Sequence, residues 1–211
     1  MYKFIQSVMY VFCGSLLSFS VLAAPTNFSY TSVGVGLGKQ SRKDSIIFAG
    51  EIYDEFGLFG IGGSYQFADD LLFVEMTSQA ASNSGPNTEL TSSVVSFGLG
   101  IVQAINNSID VNASINSLSA KVEGCAGALC IKDDDTGTAF GLGLDAWFND
   151  AKTIAGHLSF TSVKYSNDPD STTSTGLGLS TYINNNHELG LYFSSSDSSS
   201  SSALTYDYHF D

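Results

Sequence analysis

The residues able to do chemistry are few. His157 with Asp110 and Asp145 is the set from which a general acid or base could be drawn; Cys125 and Cys130 could form a disulfide or a soft-metal pair; Asp133, Asp134 and Asp135 could offer oxygens to a divalent cation. Acid–base catalysis needs a histidine within hydrogen-bond reach of its partner and room for a substrate. Asp145 and His157 flank one short turn, so neighbouring strands could bring them close. The linear sequence nevertheless carries no Ser/His/Asp motif, phosphate loop or metal triad, and no helix follows its glycine-rich stretches as nucleotide binding requires. The acidic triplet lacks the glycine and closing glutamate of a calcium loop and reads as a solvated loop. The expectation is a chain with no catalytic residue, cofactor or metal.

Cys125 and Cys130 are expected to pair, because the chain begins with the three parts of an export signal. Lys3 is the positive region, Val8 to Leu22 the apolar run, and Ala23 and Ala24 the small residues before Pro25. Residues 1–24 are read as a signal peptide that takes Cys13 with it, and residues 25–211 as one domain. A ring this short contributes about 2 kcal/mol in the chain-entropy model. A zinc site would need a further Cys or His nearby. The full chain has eight basic and 21 acidic residues, a net charge of −13; losing Lys3 leaves −14. Such a balance excludes nucleic acid as a partner, since phosphate neutralisation needs clustered Lys and Arg.

The elements that must position these residues are strands. Helical periodicity is nearly absent from the mature part, while alternation of apolar with small or polar residues recurs. Ten strands are predicted, at about 28–39, 56–67, 71–79, 92–104, 109–122, 137–148, 153–165, 173–183, 188–196 and 203–210. Connections after the second, fourth, sixth and eighth are tight turns, among them Ala68-Asp69-Asp70 and Asn184-Asn185-Asn186. Those after the first, third, fifth and seventh are longer and polar, and residues 123–136 are read as such a loop. Residues 44–56, with Ile46, Ile47, Phe48, Ile52 and Tyr53, are too apolar for an idle loop and either extend strands or fold over a mouth.

A Gly-Leu-Gly core recurs at 34–38, 96–101, 140–144 and 175–179. In a strand this puts the large apolar side chains on one face and almost nothing on the other. Only 14% of residues are charged, 43% are hydrophobic and 21 are glycine, a balance suited to a wall between lipid and water. The fold class is therefore all-β: a closed antiparallel up-and-down transmembrane barrel of about ten strands, with eight or twelve as the other counts. The alternation of short and long connections matches the short periplasmic turns and longer external loops of bacterial barrels. Gly98, Gly100, Asp110, Asn112, Asn116, Gly141, Gly143, Asp145 and His157 are placed in the lumen, where the glycines leave room. Lys39, Arg42, Lys43, Lys121, Lys132 and Lys164 fall at the outer ends of strands, where ammonium and guanidinium groups could meet lipopolysaccharide phosphates.

The run Gly62-Gly-Ser-Tyr-Gln-Phe-Ala-Asp-Asp-Leu-Leu-Phe73, the Gly-Leu-Gly strands and the final Tyr206-Asp-Tyr-His-Phe210 together resemble the small outer-membrane β-barrel proteins of Gram-negative bacteria, from about residue 28 onward. The resemblance implies an integral outer-membrane location, outer-membrane lipid as surroundings, and insertion by the barrel assembly machinery, which reads an aromatic last strand. The functional expectation is a structural or surface-interaction role through external loops. The alternatives are a narrow passive pore for small solutes and a soluble exported binding barrel with its apolar face inward.

Overall fold

A computed structural model describes residues 31–67, 71–184 and 186–210. The signal segment, the part of the first strand before residue 31 and the turn at Ala68-Asp69-Asp70 lie outside these residues. Ten strands follow in order: β1 (Ser32–Phe48), β2 (Glu51–Phe67), β3 (Leu72–Ser84), β4 (Thr88–Asn106), β5 (Ile109–Ala126), β6 (Leu129–Trp147), β7 (Ile154–Tyr165), β8 (Ser171–Ile183), β9 (His187–Ser196) and β10 (Ser199–His209). Each pairs antiparallel with its sequence neighbours. β1 also pairs with β10, from Ser32 opposite His209 to Arg42 opposite Ser199, which closes the barrel.

Alternation decides which way each side chain points. Val33, Val35 and Leu37 of β1 are exposed on the outside, as are Phe97, Leu99 and Ile101 of β4, Leu142 of β6, Leu177 and Leu179 of β8, and Leu191 and Phe193 of β9. The register sets Leu37 beside Phe59 and Leu204, so these residues join into a band around the wall. Tyr206, Tyr208 and Phe210 lie at its short-turn edge, with the Tyr208 and Phe210 rings edge to face at 4.9 Å. Aromatic girdles of this kind border the apolar band of membrane barrels.

Strand runs on into three of the expected connections. Residues 44–56 complete a β1–β2 hairpin whose register shifts between Ser41 and Ile46, and whose two-residue turn puts Ala49 and Gly50 at φ 48° and 87°. Positive φ at both turn positions matches the right-handed twist of the flanking strands. The polar stretch at 82–87 is strand over its first half, with β3 running to Ser84 and β4 resuming at Thr88. Residues 123–136, read as a loop, are the paired ends of β5 and β6, with Cys125 opposite Cys130. Ser, Thr and Asp on these extensions replace apolar outward residues, so the alternation that marks the lower strands fades while the backbone ladder continues. The serine-rich tract is likewise strand on both sides of a turn at Asp197 and Ser198.

Inside, the barrel has two storeys. Toward the long hairpins, Ile46, Tyr53, Phe56, Leu58, Leu90, Val94, Leu118, Val122, Val163 and Tyr165 form one buried apolar cluster contributed by β1 through β7. Toward the short turns the interior is polar, and Trp147 and Tyr182 stack edge to face at 4.7 Å near its floor. The inward glycines do not leave the room expected of them. Phe73 occupies the space beside Gly100, Asn116 that beside Gly98, and Asn112 that beside Gly143, so that a methyl group at any of these would overlap the neighbour. Tyr192 fills the space beside both Gly178 and Gly190. The glycines are notches that let large cross-strand side chains lie flat across the lumen.

Gly100→Val is expected to destabilise the folded barrel by about 2 kcal/mol, the usual range for overpacking. Gly141→Ala faces only the Ser114 hydroxyl at 2.9 Å and should cost less than about 1 kcal/mol. Urea unfolding in lipid vesicles measures both, and equal effects would contradict the filled-notch reading.

Candidate functional site

The polar storey is built on one residue from each of five successive strands: Asp145 of β6, His157 of β7, Ser180 of β8, Glu188 of β9 and His209 of β10. The turn between β6 and β7 sets Asp145 directly opposite His157, and their side chains meet with Nδ1 2.8 Å from Asp145 Oδ1. His157 lies opposite Gly178, and the absent side chain there lets the ring reach Ser180, with Nε2 2.8 Å from Ser180 Oγ. Glu188 continues the chain, its Oε1 3.6 Å from His157 Nε2 and its Oε2 3.0 Å from His209 Nε2. Asn112 donates to Asp145 Oδ2 at 3.0 Å, and the Tyr192 hydroxyl donates to Glu188 at 3.2 Å. Above this cluster Asn116 donates to Glu75 at 2.8 Å, and the hydroxyls of Thr77 and Ser96 lie 2.6 Å apart.

Ser180, His157 and Asp145 thus stand in the order of a nucleophile, base and orienting acid. With Asp145 accepting from Nδ1–H, Nε2 of the neutral ring accepts from the serine hydroxyl. All three are buried, at 3%, 4% and 1% exposure. Ser180 sits in the ladder between Ala155 and Gly190, so its backbone is committed to strand pairing. Acyl transfer asks for N–H donors aimed at a developing oxyanion, and an interior ladder residue directs none. Sequence reading placed Asp145 near His157 but missed Ser180, one polar residue after Gly-Leu-Gly-Leu. The available signal was register: two residues beyond the glycine opposite His157, on the same face.

The other expected lumen residues face inward as placed: Gly98, Gly100, Gly143, Asp110 and Asn116 are buried, and Gly141 and Asn112 half-buried. Cys125 and Cys130 form a disulfide across the β5–β6 hairpin, and Phe48 of the β1–β2 hairpin lies against Gly124 beside it. Glu123, Cys125 and Cys130 are the one group of metal-ligand types within mutual reach among the described residues, and sulfurs joined to each other are no thiolate ligands. The acidic triplet is not wholly a solvated loop. Asp134 is exposed, but Asp135 is buried and accepts from the Thr136 and Asn167 backbone N–H groups at 2.7 and 3.4 Å.

Lys39, Lys43, Lys121, Lys132 and Lys164 are exposed on the long-hairpin side of the apolar band. Lys132 pairs with Glu123 at 3.0 Å, and Lys43 Nζ donates to the Ser196 carbonyl at 2.7 Å. Arg42 departs from the expectation of an outward contact. It lies opposite Ser199, a buried residue, and its Nε and Nη1 are themselves buried. Alternation on β1 turns Lys39, Ser41 and Lys43 outward and therefore Gln40 and Arg42 inward.

No family model and no curated protein matches the chain. Among solved structures, the NanC porin aligns with a TM-score of 0.52 at 8% identity, over 84% of this chain and all of its own. An outer membrane channel from Pseudomonas putida F1 aligns with a TM-score of 0.49 at 12% identity, over 91% of this chain and 98% of that one. Ail, the attachment invasion locus protein of Yersinia pestis, gives 0.42 at 12% identity, over 86% and 97%. At such identities the likeness is one of fold: the chain is a closed β-barrel of the kind that small outer-membrane proteins share.

Proposed function

We propose that the protein is an integral outer-membrane barrel acting as a closed scaffold that presents its long hairpins to partner surfaces outside the cell. The observation that carries this reading is the placement of exposed apolar residues beyond the apolar band. Ile47 and Ile52, opposite each other at the β1–β2 tip, are 64% and 67% exposed, and Leu129 at the β5–β6 tip is 79% exposed. Lys39 lies opposite Gly57 and Ile47 opposite Ile52, so the tip stands about 16 Å along β2 beyond Lys39 at about 3.3 Å per residue, which takes these side chains out of lipid and into water. Apolar groups held in water by stiff hairpins are a contact surface. The disulfide and the seating of Phe48 against Gly124 supply the stiffness.

In this reading the short turns, the start of β1 and the end of β10 lie on the periplasmic side. The exposed Lys39, Lys121 and Lys164, just above the band, meet lipopolysaccharide phosphates, and the aromatic last strand serves insertion by the barrel assembly machinery. The soluble binding barrel needs its apolar face inside, and the Val33, Val35 and Leu37 side chains are outside. One observation favours the pore alternative: Gln40, Ser174, Ser194, Ser196 and Ser199 line a polar seam on the β8–β10 side, beside the apolar cluster. The seam is hydrogen-bonded across itself, with Gln40 donating to Ser199 at 3.2 Å, which supports the closed form.

The Ser180, His157 and Asp145 contact serves stability in this account, and the protein is not an enzyme. His157→Ala leaves the buried Asp145 with Asn112 in place of its histidine partner, while Glu188 keeps His209 and Tyr192, and is expected to cost about 3 kcal/mol, against about 1 kcal/mol for Ser180→Ala. Urea unfolding in vesicles measures this. A fluorophosphonate probe should leave Ser180 of the folded barrel unmodified, and stoichiometric labelling abolished by His157→Ala would establish a nucleophile instead. The scaffold role is tested by placing serine at Ile47, Ile52 and Leu129 together. Adhesion of barrel-bearing vesicles to cell surfaces should fall at least fivefold with heat-modifiable gel migration unchanged; undiminished adhesion would overturn the reading.

A further inference from the structure

Arg42 is the one Lys or Arg on the lumen face of the strands among the described residues; the lysines of the same strand ends are exposed outside. Its Nε and Nη1 are buried and have no hydrogen-bond partner among the described residues. A guanidinium is always charged and carries five donors, and burying such a group without acceptors is strongly unfavourable. Burial holds its pKa down to about 10, with Asp44 working in the opposite direction.

What surrounds Arg42 is the turn between β9 and β10. Ser199 lies opposite it, and the Lys43 N–H donates to the Ser198 carbonyl at 3.0 Å, pinning the turn to β1. Lys43 Nζ holds the Ser196 carbonyl from the other side at 2.7 Å. Ser196 Oγ accepts from the Ser199 N–H at 3.2 Å and lies 3.5 Å from Ser198 Oγ. Ser196 Oγ in turn donates to the Ser199 carbonyl at 3.4 Å, which leaves the half-buried Ser198 hydroxyl of this turn able to direct its proton toward a ligand. A tetrahedral oxyanion matches these donors: it spreads charge over several oxygens, each of which accepts from a guanidinium N–H or a hydroxyl.

We propose that Arg42, with the Ser198 hydroxyl of the turn held to β1, forms a binding site for a tetrahedral oxyanion, phosphate or sulfate in type, at the external mouth of the barrel. The ligand enters from the medium side, since Arg42 faces the lumen and the lipid lies on the opposite face of β1. The site stands apart from the apolar hairpin tips, so it holds whether or not those tips bind a partner.

Isothermal titration of the detergent-solubilised full-length barrel with inorganic phosphate and with sulfate tests this, at constant ionic strength set by chloride. Both anions should bind with one site per chain. Arg42→Gln should weaken binding at least tenfold, Arg42→Lys by less, and Lys152→Gln, in the β6–β7 turn at the opposite end of the barrel, by less than twofold. Heat-modifiable migration establishes that each variant is folded. Lipopolysaccharide with and without its phosphates, titrated into the same samples, distinguishes a lipid source from a soluble one: competition by the phosphorylated form alone assigns the site to lipid phosphate and overturns entry from the medium. No saturable binding to the wild-type barrel, or equal binding by Arg42→Gln, overturns the site itself.

Discussion

The structure depends on one constraint: in lipid, a backbone N–H or C=O without a partner costs several kcal/mol and water cannot supply one. A sheet meets the constraint only by closing, and the pairing of β1 with β10 from Ser32 to Arg42 is where it closes. Closure then fixes everything about polarity. With no edge left, each strand has one face for the outside and one for the lumen, and a side chain's address follows from whether its position is odd or even along the strand. The outside becomes uniformly apolar over the band, and all the variety in the chain is displaced to the lumen and to the hairpins beyond the band.

The buried side chains of the lumen pack in two storeys. Its upper storey is an ordinary apolar core built by β1 through β7, with Tyr53, Phe56, Leu90 and Val163 almost completely buried. Its lower storey is a hydrogen-bonded chain running across five strands from Asp145 to His209. The two solve the same packing problem with different chemistry. Buried polar groups must be satisfied by one another, and each lower-storey side chain is fixed by the next. Glycine is the common device: Gly178 admits the His157 and Tyr192 rings, and Gly100 admits Phe73.

Much of the fold was legible because a two-residue period is a strong signal where one face meets lipid. Val33-Gly-Val-Gly-Leu37 and Asp110-Val-Asn-Ala-Ser-Ile115 could hardly be anything but strand, and the turns that follow even-numbered strands announced the up-and-down order. The hairpin extensions were not legible, since above the band both faces meet water or other hairpins and Ser, Thr and Asp carry no alternation. Residues 44–56 signalled their importance through Ile46, Ile47, Phe48, Ile52 and Tyr53, which left strand extension and a fold over the mouth as equal readings; the hairpin pairing realises the first. The lumen was only half readable. Which residues point inward follows from the period, and the inward set from Gly98 to His157 holds; what each one meets depends on the tilt and register of neighbouring strands. That is why glycines read as empty space are filled, why Ser180 went unnoticed beside His157, and why the inward turn of Arg42 was not foreseen.

The central claim is that the apolar storey closes the lumen. Single-channel recording of the purified full-length barrel in a planar bilayer tests it most directly, at neutral pH in about 1 M salt. The account predicts a silent bilayer for the wild-type barrel, and stepwise conductance once Tyr53, Phe56 and Leu90 are together replaced by serine. Reproducible conductance steps from the wild-type barrel would contradict it.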